Sequence, residues 1–486
     1  MVKLAVLAAV CALACAPAGH AADNGTPAGP PPARQSDATQ DNPTESASGE
    51  RLGQPPSAGG VDLLDTLHSD WLREFHKERQ KLKDMGITFS LHERSEIWGN
   101  ASGGGHQGVS YNGITVAKLN LDLDALFGWS GGEFFTSAFD IHGHGPSRSF
   151  LDNQQLVSNI EARPSVKLYD LWLDQTLLEK KLSIRFGQEG ANDEMMTTAY
   201  GGLFINSSFG YPGIPSSDLP SGGPNYPLAT PFARALYSVN DKLTLVGAVY
   251  TDNPAPLGPG DPQIRDRNGT AFVLDDHTLG FGELWYSPNS DSPDNLPTTY
   301  KVGAWYSSDN FKDQRFDNTG GLLASTTSTG KPLNHDGDWA IYGIVDQMVW
   351  QQPGTKDRGI GVFAQLMGGP SDRNLANFFA EGGVNWFGPF DARPNDALGL
   401  AVSYLGISST ARAFSSDLVA SGRATSTYAG NETVIEATYQ APVTNWLTLQ
   451  PDVQYVINPN AGIPNSFGKT PEANALVIGM RATIRL

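Results

Sequence analysis

A chain of 486 residues with 39% hydrophobic and 17% charged side chains carries a formal net charge of −18. That acidity excludes a nucleic-acid partner, because such a partner requires a basic face that displaces counterions. No stretch reaches the ~18 consecutive apolar residues that a membrane-crossing helix needs, which leaves a soluble β protein or a closed barrel.

The chain opens as an export signal. Lys3 precedes an apolar run from Leu4 to Ala16, and Gly19 and Ala21 sit at cleavage spacing, so residues 1–21 read as a signal peptide. Removal after Ala21 discards Cys11 and Cys15, the only cysteines; lipoprotein processing at Cys15 is the alternative. Without cysteines no disulfide is available, and a protein of this size needs an extensive hydrogen-bonded framework instead. Residues 22–60, rich in Pro, Gly, Ser, Ala and Asp, read as a flexible linker. Over 61–85, Leu64, Leu67, Trp71 and Phe75 recur at helical spacing and Gly86 takes the C′ position, so an amphipathic periplasmic helix is expected. It either docks on a neighbouring surface or serves oligomerisation.

From 86 to 486 the pattern is one of strands and turns. In KLNLDLDAL (Lys118–Leu126), Leu119, Leu121 and Leu123 alternate with Lys118, Asn120, Asp122 and Asp124, giving one apolar and one polar face. LSIRF alternates in the same way (Leu182, Ile184, Phe186), and so does the terminal segment from Leu476 through Ile478, Met480, Ala482 and Ile484 to Leu486. Strands are expected near 87–98, 113–125, 132–142, 166–175, 181–188, 232–239, 242–251 and 278–287. A second eight fall near 299–308, 339–350, 359–368, 377–386, 396–405, 432–440, 446–456 and 474–486. The odd-numbered connections are mostly long (143–165, 189–231, 252–277, 309–338, 406–431, 457–473), whereas 127–131, 176–180, 240–241 and 441–445 are short. Loop length segregated by parity around an even number of strands is the mark of a membrane barrel. Trp129, Trp350, Trp386, Phe387 and Trp446 all stand beside the short turns, where an interfacial aromatic belt belongs. The expected fold is therefore all-β: a sixteen-stranded antiparallel transmembrane β-barrel preceded by a periplasmic helix. Its outer face meets lipid, its polar face turns inward, and sixteen strands leave room for a water-filled channel.

Several segments carry a family resemblance over nearly the whole barrel. They are DWLREFHKERQKLKDMGITFSLHERSEIWGNASGG, GWSGGEFF, LYDLWLDQTLLEKKLSIRFGQ, FINSSFGYP, GGPNYPLATPFAR, YKVGAWYSSDNF and LTLQPDVQYVINPN. In this order they resemble the carbohydrate-selective porin family, OprB. The resemblance implies a sixteen-stranded outer-membrane barrel of a Gram-negative bacterium, with loops folded into the lumen and passive diffusion of glucose and related small neutral sugars. Two features depart from the family pattern. The chain ends on Leu486 where an aromatic residue is usual, and Leu72, Arg73 and Glu74 follow Asp70-Trp71 where glycines are usual. Whether the barrel works singly or as a homotrimer is not set by the sequence.

Strand parity then selects pore-lining residues. With Tyr169, Leu171 and Leu173 outward, Asp170, Trp172 and Asp174 face inward; by the same rule so do Arg185, Arg234, Glu283, Trp285, Lys301 and Trp305. For the tryptophans, sugar stacking and space filling are both open. For Arg185 and Arg234 the alternative to solute contact is pairing with lumen carboxylates. The long connection 189–231 is expected to fold inward and narrow the channel, with Asn206, Asn225 and Tyr226 near the constriction. Enzymatic motifs are missing: there is no Gly-x-Ser-x-Gly elbow or His-Glu-x-x-His pair, and carboxylates such as Glu381 and Glu436 are not singled out by spacing. No cofactor or metal is called for. The remaining alternatives are a general or ion-selective diffusion porin and a secreted sugar-binding β protein.

Overall fold

The computed structural model describes residues 70–485 apart from 275–276, 290–295, 356, 429 and 464–472. The expected signal peptide, the linker, residues 61–69 of the helical segment and Leu486 lie outside the described residues. The first eight strands are β1 (Ile87–Gly104), β2 (Gly108–Asp122), β3 (Gly132–Gly143), β4 (Ser165–Leu177), β5 (Leu182–Glu189), β6 (Thr230–Asn240), β7 (Leu243–Thr251) and β8 (Thr278–Tyr286). The second eight are β9 (Thr298–Asp317), β10 (Pro332–Gln351), β11 (Gly359–Gly368), β12 (Ala376–Phe387), β13 (Ala397–Ile407), β14 (Asn431–Pro442), β15 (Leu447–Ile457) and β16 (Ala473–Arg485). Each pairs antiparallel with its sequence neighbours, and β1 closes the ring on β16, with Glu93 opposite both Thr115 and Ile484. Closure leaves no free edge, so the strand backbones satisfy one another where water is excluded.

The two faces differ as the alternation requires. Along β9, Tyr300, Val302 and Tyr306 are exposed on the outer wall, while Lys301 and Trp305 between them are buried inside. Leu398, Leu400, Val402 and Tyr404 form the same outer stripe on β13. Inside, Glu283, Asp346, Glu381, Glu436 and Gln454 are all buried.

Four local expectations are corrected. The strand read through Leu126 stops at Asp122, whose carboxylate accepts from the amides of Asp124 and Ala125 and starts a helical turn over Leu123–Phe127; Gly128, left-handed at φ 74°, ends it. Local capping here outweighs the alternation. Tyr169 faces inward, because Tyr169 and Asp170 together oppose the single residue Ser137: β3 pairs Thr136 with Leu171 but Ala138 with Leu168. This bulge reverses parity beyond it, and Tyr169 stacks on Phe139 with ring centroids 4.3 Å apart. Phe387 belongs inside rather than in the belt. Its neighbour Trp386 is exposed on the outer wall, so Phe387 alternates inward, buried, with its ring 5.7 Å from that of Tyr200. Finally, much of the expected loop 309–338 is a hairpin extension of β9 and β10. Here the outward residues Asn310 and Lys312 are polar and exposed while Phe311 and Asp313 turn to the buried face, so the sequence (DNFKDQRFD) carries no apolar outer stripe.

Helix α1 (Asp70–Asp84) lies against the outside of β1 at the end bearing the short turns. Phe75 meets Phe89 edge-on at 6.0 Å, the Arg79 guanidinium lies 5.6 Å from the same ring, and Leu82 packs with the Ile87–Leu121 cluster.

Candidate functional site

The lumen is crossed by the connection between β5 and β6. Its backbone has no ladder of its own, and inward side chains of the wall supply the partners one after another. Met196 N donates to Glu283 (2.8 Å) and Lys301 Nζ donates to the Thr197 carbonyl (2.8 Å). The amides of Ala199 and Tyr200 donate to Asp346 at 3.0 and 3.1 Å, and Asn385 Nδ2 donates to the Tyr200 carbonyl at 2.7 Å. Gln450 Nε2 reaches the Leu203 carbonyl (2.8 Å), and Glu436 accepts from Ile205 N (2.6 Å) and Asn206 N (2.9 Å). Residues 196–206 are thus handed across the interior from β8 towards β15. Buried backbone groups must be paired, and here the polar inner wall pairs them.

Two further connections fold onto this one. In 144–164, the amides of Gln154 and Gln155 donate to Glu432 of β14 (3.0 and 2.7 Å), and Asn159 N donates to the Ile205 carbonyl (2.7 Å). Glu161 accepts from Ser147 N (3.1 Å) and Arg148 N (2.9 Å). In 252–277, Gln263 accepts from Arg163 N at 2.7 Å, and Lys167 ties this connection to the first by donating to the carbonyls of Asp266 and Pro227, both at 2.9 Å.

Between the three connections lies a cavity of about 350 Å³, lined among others by Asn153, Gln154, Asn192, Tyr211, Asn225 and Tyr226. The lining is mostly amide, hydroxyl and aromatic. Among the described residues its one carboxyl group is Glu161, which burial pushes up to about 8, against the opposing bonds from Ser147; at pH 7 it is mostly neutral. An uncharged, hydroxyl-complementary surface with aromatic faces suits a neutral polyol.

The residues singled out by parity form a separate layer. Arg185 pairs with Asp174 (3.1 Å) and Glu189 (3.0 Å), and Arg234 pairs with Glu194 (2.6 Å) and approaches Asp174 (3.6 Å). Trp172 is covered by Phe135, with centroids 4.9 Å apart, and by the Arg185 guanidinium 3.9 Å from its ring. Trp285 donates to Glu283, which also accepts from Tyr342 (2.7 Å), and Lys301 Nζ stands 4.7 Å from the Trp285 ring. Asp170 accepts from Ser137 (2.6 Å), and Trp305 is fully buried. None of these nine lines the cavity, whereas Asn225 and Tyr226 do. Asn206, the last residue of the crossing segment, is buried to 0% exposure, donates to Gln454 (3.0 Å) and does not line the cavity. Sequence reading missed Glu432, Glu436 and Asp346 as anchors. Their signal was available, as carboxylates at inward positions of otherwise apolar strands.

Comparison with known proteins agrees with this architecture. The model of the carbohydrate-selective porin, OprB family, matches residues 106–486. Porin B of Pseudomonas aeruginosa is 25% identical over 454 residues, covering 88% of this chain and 94% of its own. A putative porin, QuiX, of Acinetobacter baylyi is 24% identical over 354 residues, covering 68% of this chain and 73% of its own. In fold, the chain is similar to the high-pH structure of Pseudomonas putida OprB, with a TM-score of 0.74 at 22% identity, covering 85% of this chain and 97% of that one. The chain belongs to the OprB family of carbohydrate-selective porins, outer-membrane barrels of Gram-negative bacteria through which sugars diffuse passively.

Proposed function

We propose that small neutral sugars, glucose and its relatives, enter through the cavity between the three inward connections and pass Asn225 and Tyr226 on their way to the periplasm. The observation that carries this reading is the division of labour inside the barrel. Charged wall residues such as Arg185, Arg234, Glu283 and Lys301 are spent on pairing and on the crossing segment, while the open cavity offers amides, hydroxyls and aromatic faces. In this reading Asp170, Trp172, Asp174, Trp285 and Trp305 frame the route, Asn206 fixes the floor of the crossing segment, and the 189–231 connection narrows the channel. Export rests on residues 1–21, and α1 steadies the outer wall at the periplasmic rim. Each barrel encloses its own route, so the reading is the same for one barrel or a homotrimer.

Planar-bilayer recording tests it. Titration with glucose should reduce the ion current saturably, because a bound sugar excludes ions from a narrow passage. A current insensitive to sugar up to tens of millimolar, with equal response to charged and neutral solutes, would make the barrel a general or ion-selective pore.

A further inference from the structure

The outer wall of β1 to β3 breaks the apolar pattern at one place. Alternation turns Leu91, Glu93, Ser95 and Ile97 of β1 outward, and Leu91 and Ile97 are exposed on that face. On β2 and β3 the residues between the buried Ile114, Val116, Phe139 and Ile141 also face out, which brings Tyr111, Thr115, Asp140 and His142 to the same wall. Glu93 stands opposite Thr115, and Thr115 opposite Asp140. Ser95 Oγ and Thr115 Oγ1 donate to Glu93 at 2.8 and 2.7 Å, Tyr111 Oη lies 3.1 Å from His142 Nε2, and His142 stands 3.5 Å from both Glu93 and Asp140. Gly113 makes room for this cluster, since a Cβ there would collide with the His142 imidazole and the Tyr111 hydroxyl. Apolar residues enclose it: Phe89 and Leu91 on the short-turn side, Ile97 and Val109 on the loop side, Met480 of β16 and Leu168 of β4 on the flanks. Glu93 is six residues along β1 from Ile87, about 15 Å up at a rise of ~3.3 Å and a tilt of ~40°, inside an apolar band ~25 Å tall. On β4 to β16, among the described residues, no outward position below the β9–β10 hairpin extension is charged.

We propose that this polar island is where a second copy of the chain docks, the β1–β3 wall of one barrel against the β1–β3 wall of the other. Lipid tails offer no hydrogen bonds, and a charge on the lipid face of a barrel is costly in the middle of the band. Another barrel removes that cost when it brings polar groups to the same depth. Copies inserted in one direction are related by an axis along the membrane normal, so a residue meets partners at its own depth. Because the outward charges of the described strands are confined to this island, its complement on a second copy is the same island. Tyr111 and His142 supply donors and Glu93 and Asp140 supply acceptors, so two apposed islands match in hydrogen-bonding sense. The wall around them is low: Gly99, Gly113, Ala117, Ala138 and Ala482 all face outward, and small residues let membrane-embedded surfaces approach closely. Helix α1 stands at the foot of the same stripe, on Phe89, with Phe75 41% exposed, which continues the contact to the periplasmic rim.

This inference is independent of the sugar route, and cross-linking tests it. Ala117→Cys places a thiol beside the island, and Val402→Cys places one on β13, each five residues from the short-turn end of its strand. Outer membranes of cells expressing each full chain are treated with a short bis-maleimide, and the unsubstituted chain sets the background. Ala117→Cys should give a product of twice the monomer mass, and Val402→Cys none above background. Replacing Glu93, Asp140 and His142 together by Leu in the Ala117→Cys chain makes this wall uniformly apolar. That barrel should keep its heat-shifted gel mobility and lose about tenfold of the cross-linked product, because the polar contacts between the walls are gone. The comparison of Ala117→Cys with Val402→Cys leaves the island itself intact, so it decides even where the Leu variant does not insert. No product from Ala117→Cys, equal products at both positions, or a product undiminished in the folded Leu variant each overturns the proposal. So does lipopolysaccharide that copurifies with the unsubstituted monomer but not with the Leu variant, which would give the island to lipid headgroups instead.

Discussion

Replacing Glu436 by Ala removes the single side chain that accepts from both Ile205 and Asn206, at 2.6 and 2.9 Å. Both residues are 0% exposed, so their amides gain no water in exchange. Leaving a buried amide donor without its acceptor costs ~1–3 kcal/mol; at about 1.5 kcal/mol each, the two give about 3 kcal/mol. That shifts the balance between a seated and a lifted 203–206 segment roughly a hundredfold. The strand ladder of β14 is untouched, since the change lies on its inward face. The barrel should therefore insert normally while the crossing segment leaves its seat often enough to be seen. In single-channel recordings Glu436→Ala should show larger current fluctuations and a higher mean conductance than wild type. Glu436→Gln, which keeps one acceptor oxygen, should fall between them. Traces of all three proteins that superimpose, with folding verified by the heat-induced gel shift, would refute the idea that this carboxylate seats the segment.

Two other outcomes are expected. Because Glu161 is neutral below about 8 and ionised above it, cation selectivity should rise as pH goes from 7 to 9, and Glu161→Gln should flatten that rise in reversal-potential measurements. Phe387→Ala should raise current noise and lower the temperature of the gel-mobility shift, by a loss of order 3–5 kcal/mol for a buried ring. Trp386→Ala, one residue away on the outer wall, should leave the noise unchanged.

How far the sequence carries depends on the range of the interactions involved. Strands such as β9 or β13 are legible because one residue in two meets lipid and the next does not, and that pressure is written locally. The Tyr169–Asp170 bulge is not written that way. Tyr169 is apolar enough for either face, and what draws it inward is Phe139 on the next strand and Asn192 in the crossing segment. Asp122 shows the reverse case, a local cap inside an alternating run, visible only if capping is weighed against period. Parity turns Arg234 and Lys301 inward, but it cannot say what they meet there. The partners, Glu194 for one and Thr197 for the other, depend on where a forty-residue connection folds. The cavity is the least legible part. Asn153, Tyr211 and Asn225 come from two connections with no periodicity, and they converge only because Glu432, Asp346 and Glu436 hold the surrounding backbone.

The central claim is that inward connections, not the strand wall, set what passes. Deleting residues 210–224 takes out part of the cavity lining while leaving every strand intact. Liposome swelling with sugars of increasing size is the direct measurement. The account predicts that the deletion admits oligosaccharides the wild type excludes and raises single-channel conductance; the same size limit and the same conductance in both proteins would contradict it.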